Sequence, residues 1–112
     1  MKHLILSILG CLLFAVISNA QTTKKAVIQT PTLQCDVCKS RLENRIMREE
    51  GIASIKADPK KHIVTVVYIS DRTNIENIKT SIANMGYDAD DVTAEPYAFK
   101  KLPATCQHVV KK

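Results

Sequence analysis

Cys35-Asp36-Val37-Cys38 sets two thiols three residues apart, after a strand-like run and at the start of an amphipathic stretch. One helical turn spans about 3.6 residues, so this spacing lets both sulfurs face one point. A helix N-terminus favours negative charge, and Lys39 and Arg41 add positive field nearby. Both effects favour the thiolate, the form that binds soft metals. By itself a CxxC fits a disulfide or a redox pair equally well, so its surroundings must decide.

The surroundings begin with a leader. Residues 1–20 have a basic start (Lys2, His3), an apolar stretch from Leu4 to Ile17 and small residues at Ser18-Asn19-Ala20. That order of basic, apolar and small residues is a cleavable secretory signal, with Gln21 as the mature N-terminus. The apolar stretch is short of the roughly 20 residues that span a bilayer, so no stable membrane insertion is expected after cleavage. Ile8-Leu9-Gly10-Cys11 faintly resembles a lipobox, and lipoprotein anchoring at Cys11 is the competing outcome. A periplasmic or secreted location follows.

Cleavage removes Lys2 and His3 and lowers the net charge by one from +5. The remaining positive charges are scattered, there is no Trp, and no basic stripe is interleaved with aromatics, so nucleic-acid binding is unsupported. Of four cysteines, Cys35, Cys38 and Cys106 remain, an odd count that a fully paired disulfide framework does not explain.

The positioning elements follow along the chain. Residues 21–25 read as a flexible leader, and Ala26 to Thr30 as a short strand ended by Pro31. Val37 to Glu50 contains no Pro or Gly, and Cys38, Leu42 and Ile46 recur at i, i+4, i+8, with Val37 and Met47 widening the stripe. Gly51 suits a left-handed C-terminal cap. Ile52 to Ala57 and His62 to Ile69 form a hairpin across the turn Asp58-Pro59-Lys60-Lys61. Thr73 to Glu76 has the pattern of a capping box for a second helix with Ile75, Ile78, Ile82 and Met85 on one face. Gly86 ends that helix, and a last short strand is expected around Asp91 to Glu95, stopped by Pro96. The order β-α-β-β-α-β suits an α+β, ferredoxin-like sandwich of two helices on a four-stranded antiparallel sheet. The domain is expected over residues 26–96, with a basic tail at 97–112.

In this arrangement the chain resembles the heavy-metal-associated domain family, which includes copper chaperones, periplasmic mercury-binding proteins and the N-terminal modules of metal-pumping ATPases. The family pattern Gly-Met-x-Cys-x-x-Cys corresponds to Thr32-Leu33-Gln34-Cys35-Asp36-Val37-Cys38, and its Gly-Tyr-Asp to Gly86-Tyr87-Asp88. Leu33 replaces a Met that packs beneath the loop in relatives, and Thr32 replaces the loop Gly. The resemblance implies that Cys35 and Cys38 hold a soft ion, Cu(I) first and Hg(II) or Zn(II) as alternatives. The ion would then pass by thiolate exchange to a metal-transporting ATPase or another metal-binding protein. It also implies that Tyr87 lies beside the site as a shield, against the plainer reading of a partly buried aromatic.

Rival readings keep their place. The same CxxC fits a thiol-disulfide redox protein, although an aromatic before the first Cys and Gly-Pro within the pair are missing. A ferredoxin-like interaction module with a structural disulfide is the third. Cys106 and His108 either fold back as extra ligands towards a tetrahedral site or belong to an unstructured tail, and the tail is the simpler expectation. His62 reads as an exposed strand-end residue. Lys24, Lys25, Lys100, Lys101, Lys111 and Lys112 read as solvated termini. No Ser-His-Asp grouping, phosphate loop or paired carboxylate cleft can be argued, which points to a binding module and not an enzyme.

Overall fold

The computed structural model describes residues 22–108; the leader with Cys11 and residues 109–112 lie outside the described residues. Three strands form one antiparallel sheet: β1 (Thr23–Gln29), β2 (Ile52–Asp58) and β3 (Ile63–Ile69), in the order β1-β3-β2. The run Ile63-Val64-Thr65-Val66-Val67-Tyr68-Ile69 takes the centre because β-branched residues suit a strand paired on both sides. Val64, Val66 and Tyr68 alternate into the core. β1 pairs with β3 from Thr23↔Ile69 to Gln29↔Ile63, so it begins inside the stretch expected to be a flexible leader. The β2–β3 register shifts between Ile52 and Ser54, which makes Ala53 the extra residue of a bulge. In the hairpin turn the Asp58 carboxylate accepts from the backbone N–H groups of Lys60 and Lys61, and His62 closes the turn at φ 57°.

Helix α1 (Asp36–Ile46) and helix α2 (Ile75–Asn84) cover one face of the sheet. The α1 stripe is narrower than its sequence suggests. Cys38, Leu42 and Ile46 are fully buried, whereas Val37 and Met47 are exposed. The helix also stops short of Glu50. Arg48 and Glu49 donate to Arg45 and Ile46, tightening the last turn, and Gly51 at φ 86° redirects the chain into β2. At the start of α2 the cap is Asn74, whose side chain accepts from the Asn77 N–H, and not Thr73 of the expected capping box. Asn is as good an N-cap as Thr or better, so the helix starts one residue later.

The expected fourth strand is absent among the described residues. The chain makes a single bridge, Ala89↔Val92, around Asp90 at φ 52°. One pair of bonds ties this turn to β1: Gln29 N–H donates to the Asp90 carboxylate (2.6 Å), and Asp90 N–H donates to the Gln29 carbonyl (2.8 Å). Lys79 gathers Asp91, Asp90 and Glu76 at 3.2, 3.4 and 3.8 Å, which favours the turn over an extended run. Pro96 begins an element where it was expected to end one. Glu95 caps helix α3 (Pro96–Lys101) by accepting from the Ala98 N–H, and Pro96 sits at a first-turn position that needs no N–H.

Residues 96–108 are therefore folded. Gly86, at φ 104°, lets α3 approach so closely that a Cβ there would lie 2.9 Å from the Phe99 Cα and N. Leu102 and Cys106 join the core, and a 3-10 turn (Ala104–Cys106) packs against α1.

Candidate metal centre

The loop from β1 to α1 fixes the first two sulfurs. Thr30 N–H donates to the His62 carbonyl (2.7 Å), and Leu33 N–H closes a turn onto the Thr30 carbonyl (3.0 Å) around Pro31. Leu33 is fully buried, filling the place expected of the apolar residue beneath the loop. The His62 ring donates from Nδ1 to the Leu33 carbonyl (3.2 Å) in its Nδ1–H tautomer. Sequence reasoning left His62 as a strand-end residue because nothing local shows it bracing a loop 29 positions away. Thr32, in the place of the family's glycine, is buried and accepts from the Asp88 N–H (3.1 Å), joining the thiol loop to the Gly-Tyr-Asp segment.

Cys35 is the N-cap of α1, with extended backbone and no side-chain cap bond. Its thiol is therefore free to turn towards Cys38, one turn on, where the helix N-terminus contributes a partial positive charge. The Cα atoms of this pair are 5.4 Å apart. Cys35 is half-buried and Cys38 fully buried, so the pair opens to solvent on the Cys35 side.

The 3-10 turn supplies a third sulfur. Cys106 is fully buried, and the sulfurs of Cys35, Cys38 and Cys106 all lie within 4.8 Å of one another. Cys38 Sγ is in direct contact with both other sulfurs. A sulfur forms one disulfide at a time, so as covalent bonds these contacts are alternatives, whereas as ligands all three sulfurs can face one ion. The Thr105 carbonyl oxygen lies 3.5 Å from the Cys35 sulfur and 3.7 Å from the Cys38 sulfur. The tail thus contacts the site twice, through a carbonyl and through a thiol.

The remaining candidates stand apart. His108 is half-buried, its Nε2 has no hydrogen-bond partner, and it is not in the cysteine cluster among the described residues. Tyr87 is fully buried in the same core cluster as Cys38 and Cys106, and its hydroxyl has no partner among the described residues. Burial pushes its pKa up, partly opposed by the charge of Arg41. It is a fully buried core aromatic, in line with the plainer of the two readings of this residue. The tail's folding was the least visible feature, although Glu95-Pro96, a capping residue before a proline, was a usable signal.

Known proteins resemble the part of the chain that carries Cys35 and Cys38. The sequence model of the heavy-metal-associated domain matches residues 27–88. The chain is 32% identical over 62 residues to the copper chaperone CopZ of Staphylococcus haemolyticus, covering 55% of this chain and 91% of that one. It is 27% identical over 86 residues to copper-transporting ATPase 2 of Rattus norvegicus, covering 77% of this chain but only 6% of the ATPase. Among solved structures, oxidized MerP from Ralstonia metallidurans CH34 superposes with a TM-score of 0.58 at 17% identity, over 62% of this chain and 96% of MerP. A CopZ metallochaperone superposes at 0.57 with 23% identity, over 59% of this chain and 98% of CopZ, and at such identity these two likenesses speak for the fold alone. With the domain match spanning more than half of the chain, the protein belongs to the heavy-metal-associated domain family.

Proposed function

We propose that the chain is an exported soft-metal-binding protein, a metallochaperone or scavenger, in which Cys35 and Cys38 hold Cu(I) and release it by thiolate exchange. The observation that carries this reading is the convergence of the two sulfurs at the N-terminus of α1, open on the Cys35 side. Thiolate ligands suit Cu(I), with Hg(II) or Zn(II) as alternatives, and do not suit Mg(II) or Ca(II). Membership of the family and the likeness to copper chaperone CopZ support copper and a binding role without catalysis. A metal-transporting ATPase or another metal-binding protein is the natural recipient, given the match to a copper-transporting ATPase.

Export rests on the basic, apolar and small residues at positions 1–20. No helix among the described residues is long and apolar enough to cross a membrane. Mass spectrometry of the exported fraction is expected to find Gln21 at the N-terminus, and a lipid on Cys11 would overturn the assignment.

A redox role is the second reading, favoured by the contact of Cys38 with two other sulfurs. One pair of assays separates the two. Anaerobic titration of reduced protein with Cu(I) against a competing chelator is expected to show tight one-to-one binding with little insulin-reducing activity. Weak binding with rapid insulin reduction would favour the redox protein.

A further inference from the structure

We propose that Cys106 is the chain's own third metal ligand and that residues 102–106 act as a latch, holding the ion until an incoming thiol displaces Cys106. This rests on the reading of Cys35 and Cys38 as ligands and adds to it a donor from outside the CxxC.

Ordering a tail costs backbone entropy at every residue, a cost that a flexible arm would have to recover from the metal alone. Here packing within the protein meets it. Leu102 is buried, and Cys106 N–H donates to the Pro103 carbonyl (2.8 Å). The Gln107 side-chain amide donates to the carbonyls of Leu102 (2.8 Å) and Lys100 (3.1 Å), tying the 3-10 turn to the end of α3. Packing within the chain thus delivers the third sulfur to the site, an arrangement that lowers the cost of binding.

The latch reaches the site through two residues: the Thr105 carbonyl lies 3.5 Å from the Cys35 sulfur and 3.7 Å from the Cys38 sulfur, beside the Cys106 sulfur itself. No His, Asp or Glu joins the three sulfurs among the described residues. A three-thiolate set suits Cu(I) or Hg(II), whereas structural Zn(II) takes four ligands.

Release is a ligand exchange without redox change. A partner thiolate reaches the ion from the half-buried Cys35 side and forms a metal–sulfur bond. The bond to Cys106 breaks, and its thiolate takes a proton from water. The latch therefore slows loss of the ion to small competitors and yields to a partner that fits the open side.

The test loads reduced protein with one Cu(I) per chain, then measures the number of sulfur neighbours by X-ray absorption and the rate of withdrawal by a chelator. Wild type is expected to show three sulfurs and Cys106→Ser two. Withdrawal from Cys106→Ser should be roughly 100-fold faster, at the lower end of what a tethered extra contact adds. Gln107→Ala keeps all three sulfurs and loosens the latch, so it should accelerate withdrawal with an unchanged starting sulfur count; it carries the test if Cys106→Ser does not fold. Two sulfurs in wild type, or equal withdrawal rates in wild type and both variants, would overturn the proposal while leaving the CxxC reading intact. Undiminished binding by Cys35→Ser/Cys38→Ser would instead sink the reading on which it rests.

Discussion

The two arms that carry the cysteines are held by different means. The front arm, Thr30 to Cys38, hangs from the sheet. Thr30 and Leu33 bond to His62 at the end of the β2–β3 hairpin, and Leu33 is sealed in the core. The back arm, Gly86 to Cys106, is bonded to the sheet through Asp90–Gln29 and to the thiol loop through Asp88–Thr32, and beyond the buried Tyr87, Ala89, Leu102 and Cys106 it rests on helices and on itself. The front arm shares the stability of the sheet, while the back arm can open locally at a lower cost. In the proposed latch, a site built this way would have two firm sulfurs and one that can be withdrawn.

Breaking the front arm's chemistry should have the largest effect. Cys35→Ser/Cys38→Ser is expected to weaken Cu(I) binding by more than about 1,000-fold, equivalent to about 4 kcal/mol. Chelator competition reads the loss, and a retained fold by circular dichroism shows that it is chemical. Breaking the front arm's packing comes next. Leu33→Ala removes a fully buried side chain and should cost about 2–5 kcal/mol in denaturant unfolding. A cost below about 1 kcal/mol would mean that the loop is not anchored through Leu33.

The back arm should prove softer. Gly86→Ala forces a Cβ against the Phe99 backbone at φ 104°, and strain of about 1–3 kcal/mol is expected. The loss should appear as faster hydrogen exchange in residues 96–106, with little change in β3. Equal exchange gains in both regions would erase the distinction between the arms.

Legibility follows the same division. The front arm could be read because its signals are local: Pro31 after a strand, CxxC at a helix start, and the stripe of Cys38, Leu42 and Ile46. The central strand was equally plain, from its run of β-branched residues. The back arm misled because its structure depends on distant partners. Asp90 turns where a strand was expected because Gln29 and Lys79 bond to it, and no local pattern carries that information. Cys106 looked like a spare thiol because a six-residue helix with basic residues gives no clear apolar stripe, and its docking depends on the gap left by Gly86. His62 could not be recognised as a brace without knowing where Leu33 lies.

Smaller effects sharpen the account. Asn74→Ala should cost about 1 kcal/mol by removing the cap of α2. Thr73→Ala should cost less, and the reverse order would restore the capping-box reading. Acid comes last. The Lys61 N–H bond lowers the pKa of Asp58, and the Lys79 ammonium lowers that of Asp91, both from an ordinary 3.8. Carboxyls depressed in the folded state contribute stability that is present above the unfolded value and lost as pH falls through the folded one. Asp91 is exposed and Asp58 only half-buried, so the denaturant midpoint should fall only slightly for this reason below about pH 4, and less so in Asp58→Asn or Asp91→Asn.

Residue-resolved thiol protection tests the central claim most directly. Reduced protein, with and without one equivalent of Cu(I), is exposed to an alkylating reagent, and labelling at Cys35, Cys38 and Cys106 is read by mass spectrometry. Metal should protect Cys35 most visibly, because it is the half-buried sulfur and labels fastest without metal, and Cys38 should be protected alongside it. Unchanged labelling of Cys35 and Cys38 in the presence of Cu(I) would contradict their role as ligands.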